Sequence, residues 1–310
     1  MPATHESIED PRNENVLIYI NGKLVPRKDA MVSVFDSGFL LGDGFWESFR
    51  IHNGQIAFFD RHMARLLGNA KALAIDLPFG HVEIKRALTQ TIQANQLDDT
   101  GYLRLIITRG IKKTPWQDPR LNVGGPTMVI IGEFKAPNPR VAEDGIRLFT
   151  VHVRRGHPDV LDPKLHTLSK LNCILACIQA IQAGADEALM LDPHGFVATC
   201  NSTNFFIVQR GEVWTSTGDY CLHGTTRGVV MDICRKAGIP TFEKSFSLME
   251  VYGAEEAFAT GTFGGIIPVV AVDGRAIGSG CRGQTTERIQ GLYKACMDLE
   301  CRPEETVDRM

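Results

Sequence analysis

The sequence predicts a two-domain α/β chain, α+β within each half, on three observations. Turn dipeptides punctuate apolar, β-prone runs, helical periodicity follows them, and one charged, proline-bearing break lies near the middle. Asn21-Gly22 divides "VLIYINGKLV" and Asn53-Gly54 divides "FRIHNGQIAFF"; Asn-Gly between such runs favours a two-residue hairpin, because both residues accept positive φ. A helix is expected over 62–74. In "HVEIKRALTQTIQANQL" Ile84, Leu88 and Ile92 recur every four positions, so a second helix lines up one apolar face. "GYLRLIITRG" and "TMVIIGEF" are apolar enough for central strands. "KAPNPRVAEDG" has no periodicity, which sets a smaller domain at 1–135, a linker at 136–145 and a larger domain at 146–310.

The second half opens on the strand "IRLFTVHV" and then a helix whose apolar stripe, Leu171, Ile174, Leu175 and Ile178, is expected in the core. Hairpins are expected at His194-Gly195, Arg210-Gly211 and Asp273-Gly274, and a last helix carries Ile289, Leu292, Tyr293 and Cys296 on one side.

A chain of 310 residues, 44% of them apolar, can bury two cores. A net charge of -3 gives no footprint for nucleic acid or an anionic membrane, so neither is expected as a partner. The start "MPATHESIEDPRNENV" lacks the basic and apolar parts of a signal peptide, and no apolar run approaches the roughly 20 residues of a bilayer span. A cytoplasmic location is expected. Eight cysteines without a C-x-x-C pair speak against structural zinc, and no metal site is expected.

Two stretches suit a phosphate. In "LHGTTRGVVMDICRKAG", Gly224, Thr225 and Thr226 lead into a helix, whose first N–H groups and positive dipole end favour an anion. An ordinary threonine cap explains the same residues. In "GTFGGIIPV", Gly261, Gly264 and Gly265 permit close backbone approach and Thr262 adds a hydroxyl. Spacing alone leaves open whether the two stretches meet.

With these, "YINGKLVP", "SVFDSGFLLGDGFWESFR", "FDRHMARL", "GADEALMLDPHGFVATCNSTNFFIV", "HGTTRGVV" and "GTFGGIIPV" occur in an order that resembles the class IV aminotransferases, the fold type IV enzymes of pyridoxal 5'-phosphate. That family includes branched-chain and D-amino acid aminotransferases, (R)-amine transaminases and aminodeoxychorismate lyase. The resemblance spans about residues 17 to 295. It implies that Arg65 pairs with the cofactor phosphate, that Thr225, Thr226 and Thr262 hold the same group, and that Leu41, Trp46, Arg50, Phe263 and Gly264 line the substrate pocket. Trp46 fits a domain core as readily. The resemblance also implies a homodimer, and a small-molecule amino donor and keto acceptor as partners. Lys112 or Lys113 could meet an acidic substrate, although a solvated loop pair is the plainer reading.

Two positions depart from the family. Laid ungapped on the pattern "K-S-L-N-Y-L-N-N-I-L-A", the stretch "HTLSKLNCILA" puts His166 where relatives keep the lysine that bonds the cofactor, and Lys170 where they keep an aromatic residue. A register shifted by four residues puts Lys170 in the lysine position and turns the following helix by only about 40°. Either register points to Lys170 as the catalytic amine, since an imidazole cannot form that bond. Lys164 lies upstream of the motif. The second departure is Thr199, where most relatives have a glutamate that stabilises a proton on the ring nitrogen; a neutral hydroxyl does so far less. The expectation is a pyridoxal-phosphate-dependent aminotransferase with a relocated lysine. The alternatives are a lyase similar to aminodeoxychorismate lyase and a non-catalytic relative that binds the cofactor.

Overall fold

The structure is a computed structural model that describes Ser7 and residues 9–302. The chain separates into two compact units. Among the described residues an N-terminal unit holds Glu9–Ala136, Thr167–Ser169 and residues 295–302; a C-terminal unit holds Ser7, Pro137–His166 and Lys170–Lys294.

In the N-terminal unit the strands are β1 (Leu17–Ile20), β2 (Lys23–Pro26), β3 (Gly44–His52), β4 (Gln55–Ile56), β5 (Gly101–Thr108), the short pair β6 (Ile111–Lys112) and β7 (Asn122–Val123), and β8 (Thr127–Phe134). Its helices are α1 (Ser37–Leu41), α2 (Phe59–Ala72) and α3 (His81–Asn95). Six strands form one antiparallel sheet in the order β2-β1-β8-β5-β3-β4. The two Asn-Gly hairpins form as expected: Asn21 and Gly22 have φ of 46° and 90°, Asn53 and Gly54 of 49° and 71°. Period-two burial sends Phe45, Phe49, Ile51, Leu103, Leu105 and Ile107 to one face, where they meet Met63 and Leu66 of α2 and Ile84 and Leu88 of α3.

The first helix of the C-terminal unit is α4 (Pro139–Asp144), within the segment 136–145 expected as the linker. Pro139 takes the first helical position, where a missing N–H costs nothing, Asn138 caps it, and Val141 enters the core. There follow β9 (Ile146–Thr150), α5 (Pro158–Leu161), α6 (Leu171–Gln182), β10 (Glu187–Leu191), β11 (Val197–Cys200), β12 (Asn204–Gln209), β13 (Glu212–Thr215), α7 (Thr225–Lys236), β14 (Thr241–Glu243), α8 (Leu248–Tyr252), β15 (Glu256–Gly261), β16 (Gly265–Val272), β17 (Arg275–Ala276) and α9 (Gln284–Glu300). The nine-stranded mixed sheet runs β11-β10-β9-β16-β15-β12-β13-β14, with β17 on β16; β9 lies parallel to both β10 and β16. From Ala295 on, the chain groups with the N-terminal unit, where His52 Nε2 lies 2.6 Å from Asp298 Oδ1 and Gln55 Nε2 donates to Arg302 O at 2.7 Å.

One core expectation fails. On α6 only Ala176 and Ala180 are buried, against Ala188 and Met190 of β10, while Leu171, Ile174, Leu175 and Ile178 are 44–68% exposed. The small alanine face lets the helix axis come close to the sheet, which turns the bulky stripe outward.

Candidate functional site

The two glycine-threonine stretches converge on one dipeptide of the C-terminal unit, Thr203-Asn204 at the start of β12. A Cβ on Gly224 would run into Asn204 Oδ1, and one on Gly261 would lie 3.3 Å from Thr203 Cγ2. Both glycines therefore mark close backbone approach. Thr225 and Thr226 are the first two residues of α7, both buried, and the Gly224 N-cap offers no side-chain cap. Arg227 fixes this helix end: its buried Nη2 donates to Ser216 O and to Glu243 Oε1, each at 2.7 Å. Thr262, Phe263 and Gly264 form the turn between β15 and β16, where Gly261 pairs with Gly265. Phe263 points inward, 3% exposed, and Thr262 and Gly264 remain half-exposed.

The Thr203-Asn204 corner is itself clamped. Glu187, 1% exposed, accepts on Oε1 from Ser202 N at 2.9 Å, Ser202 Oγ at 2.7 Å and Thr203 Oγ1 at 3.0 Å. Sequence reasoning missed Glu187, because its partners lie 15 and 16 residues downstream. Thr199 is buried beside this corner and donates its hydroxyl proton to Thr203 O at 2.7 Å. Thr199 thus presents lone pairs and no charge. Asn204 Nδ2 donates to Leu222 O at 2.9 Å, tying the corner to the loop before α7.

Lys170 is the N-cap residue of α6, half-buried, with its carbonyl accepting from Ile174 N at 3.0 Å. His166 is 6% exposed and Lys164 half-buried. Residues 167–169 group with the N-terminal unit, where Leu168 N donates to Gly44 O at 3.0 Å and Thr167 bridges Phe45. Arg155, another residue the sequence did not flag, is 9% exposed and donates to Cys173 Sγ in the first turn of α6 at 3.2 Å, to Tyr220 O at 3.2 Å and to Pro163 O at 3.4 Å. It thereby links the start of α6 to the loop that leads into α7.

In the N-terminal unit, Arg65 on α2 engages the fully buried Glu47 with Nε at 2.7 Å and Nη2 at 2.8 Å, while His62 Nδ1 lies 2.8 Å from Glu47 Oε2. The residue expected to pair with a phosphate is thus held by a carboxylate. Burial pushes the His62 imidazole below its usual range, against the opposing pull of Glu47, so it is neutral near pH 7. Trp46 and Arg50 share the sheet face opposite the core. Arg104 covers the Trp46 ring at 4.2 Å, and Tyr102 stands directly opposite Arg50. Leu41 ends α1 and is 37% exposed. Lys112 is not solvated: it is 2% exposed, with Nζ donating to Asn122 Oδ1 at 2.9 Å and Asp118 O at 3.1 Å, so it pins its own loop. Lys113 is exposed.

Among the described residues no group of three or more His, Cys, Asp or Glu is placed to hold a metal ion, and no helix is long and apolar enough to cross a membrane. The donor set of the C-terminal unit fits a phosphorylated ring instead: a helix start whose Gly224 N-cap adds no side-chain cap, threonine hydroxyls, and two glycines packed closely on Thr203-Asn204.

Comparison with known proteins agrees. Residues 44–272 match the amino-transferase class IV family. The chain is 41% identical over 292 residues to "Branched-chain-amino-acid aminotransferase-like protein 2" of Arabidopsis thaliana, covering 94% of this chain but 52% of that protein, about half its length. It is 32% identical over 285 residues to a branched-chain-amino-acid aminotransferase of Pseudomonas aeruginosa, covering 89% and 91% of the two chains. The crystal structure of a branched-chain aminotransferase from the archaeon Thermoproteus uzoniensis, solved with norvaline, superposes with a TM-score of 0.82 at 31% identity over 94% of this chain and 96% of that one. Pyridoxal 5'-phosphate is the cofactor of that family. This chain belongs to the class IV aminotransferases.

Proposed function

We propose that the chain is a pyridoxal-phosphate-dependent aminotransferase whose covalent and acid-base work falls to Lys170. What supports this reading above all is the convergence of the α7 start and the Gly261-Thr262 turn on Thr203-Asn204, with an amine at the N-cap of α6 in the same unit. Thr225, Thr226 and Thr262 would hold the phosphate and Thr199 the ring nitrogen. When bound, the cofactor supplies an aldehyde carbon that takes up the amino group and a ring that withdraws electrons from the donor's α-carbon. Lys170 would hold the cofactor through its side-chain amine. The same amine, once freed by a donor, would act as the base that takes the proton from the donor's α-carbon and as the acid that gives it back. Thr199, its proton committed to Thr203 O, would offer the ring nitrogen no counter-charge, and proton removal would then be slower than with a carboxylate there.

Amino acids and keto acids are the proposed substrates, because the similar proteins are named as amino acid aminotransferases. A second copy of the chain would cover the exposed apolar stripe of α6; a monomeric mass in sedimentation velocity would contradict that homodimer.

Incubation with amino acid donors tests the activity. An aminotransferase releases the keto acid and accumulates pyridoxamine phosphate. Release of pyruvate from an amino-substituted ring acid with the cofactor restored would mark a lyase instead, and binding without either product a non-catalytic relative.

A further inference from the structure

Thr260 lies on β15, two residues before Thr262. It is 2% exposed, and its hydroxyl has no hydrogen-bond partner within the described protein. Its strand neighbours are Asn204 on β12 and Ile266 on β16. Residues directly opposite on paired strands leave the sheet on the same side, so the Thr260 hydroxyl shares a face with the Asn204 carboxamide. One step further along that face Phe206 and Phe258 stack at 4.8 Å, and α7 packs on β15. The Asn204 carboxamide abuts Gly224, the N-cap of α7. The Thr260 hydroxyl therefore shares a sheet face with the carboxamide that abuts Gly224, the N-cap of α7, which carries no side-chain cap.

A buried hydroxyl without an acceptor is costly, and such groups in folded proteins usually await a ligand or an ordered water. Here the surroundings select the ligand. Helix-start N–H groups and the dipole favour an anion, and a hydroxyl beside them can only strengthen an acceptor-rich, anionic group. We propose that Thr260 is a further phosphate-holding residue, its hydroxyl donating to a phosphate oxygen seated at the start of α7. This rests on the reading that α7 takes the cofactor phosphate, and it adds a residue that sequence motifs do not single out. A phosphate oxygen there would give the hydroxyl an acceptor.

Titrating the purified full chain with pyridoxal 5'-phosphate, with pyridoxal, and with inorganic phosphate as competitor tests the assignment. Thr260→Val is expected to weaken pyridoxal phosphate and inorganic phosphate about tenfold while pyridoxal binds as before, and Thr260→Ser to restore wild-type affinity. Should the valine variant not fold, Thr260→Cys, a weaker donor of similar size, carries the same comparison. Unchanged phosphate affinity in the variants overturns the proposal and marks the hydroxyl as one satisfied by water. An equal loss for pyridoxal also overturns it, because the effect then lies in the ring or the fold. A wild-type chain that binds pyridoxal phosphate no tighter than pyridoxal would sink the phosphate reading of α7 itself, and that result is visible without any variant.

Discussion

The two ends of the candidate site in the C-terminal unit differ in how they are built. At the end proposed to hold a phosphate, backbone packs closely: Gly224 and Gly261 lie against Thr203-Asn204, Glu187 binds Thr203, and Arg227 ties down the start of α7. At the proposed amine and ring end the groups are side chains, Lys170 at the N-cap of α6 and Thr199 bonded to Thr203 O, at positions where the sequence is expected to differ from its relatives. Backbone packed this closely admits little change: a Cβ on Gly224 would overlap Asn204 Oδ1, and one on Gly261 would crowd Thr203 Cγ2. A side-chain position can be reassigned, provided a suitable group reaches the same atom from a neighbouring turn.

Substitutions can break that contrast. Lys170→Ala should abolish covalent attachment and lower amino transfer about a thousandfold or more, while noncovalent cofactor binding survives; single-turnover kinetics with a defined donor checks it. Gly224→Ala should do the reverse. Its Cβ forces Asn204 away, costing about 1–3 kcal/mol of stability and up to about a hundredfold in cofactor affinity, read by denaturant titration and equilibrium binding. Thr199→Glu sharpens the comparison: a carboxylate at the ring should speed transfer about tenfold per bound cofactor and cost about 2 kcal/mol in the cofactor-free protein, where the charge is buried without its partner. A rate unchanged in that variant would mean that the ring nitrogen does not limit the chemistry.

The smallest effect lies in the N-terminal unit. Buried His62 has its pKa lowered by desolvation, so the unfolded chain takes up a proton that the folded chain refuses. Stability from this group is complete above the unfolded value of about 6.5 and falls as pH drops from there towards the lower folded value. Denaturant midpoints at about pH 7.5 and about pH 5.5 should therefore decrease in that order, and His62→Gln should flatten the difference.

Local signals were legible in the sequence. Turns at Asn21-Gly22, Asn53-Gly54, Arg210-Gly211 and Asp273-Gly274 follow from which residues tolerate positive φ, a property of the dipeptide itself. The start of α7 and the Gly261 turn were legible from their glycine-threonine composition, but their meeting at Thr203-Asn204 depends on β12 pairing with β15, far apart along the chain. The α6 stripe misled because periodicity gives the apolar face of a helix and not what covers it; Ala176 and Ala180 took the sheet. Glu47, paired with residues 15 and 18 positions away, and buried Lys112 escaped because an ion pair or a pinned lysine has no periodic signature.

Reduction with borohydride after loading with pyridoxal phosphate, followed by peptide mapping, tests the central claim most directly. The account predicts a stable pyridoxyl label on Lys170 that disappears in Lys170→Ala. A label on Lys164, or none on a chain that still transfers amino groups, would contradict it.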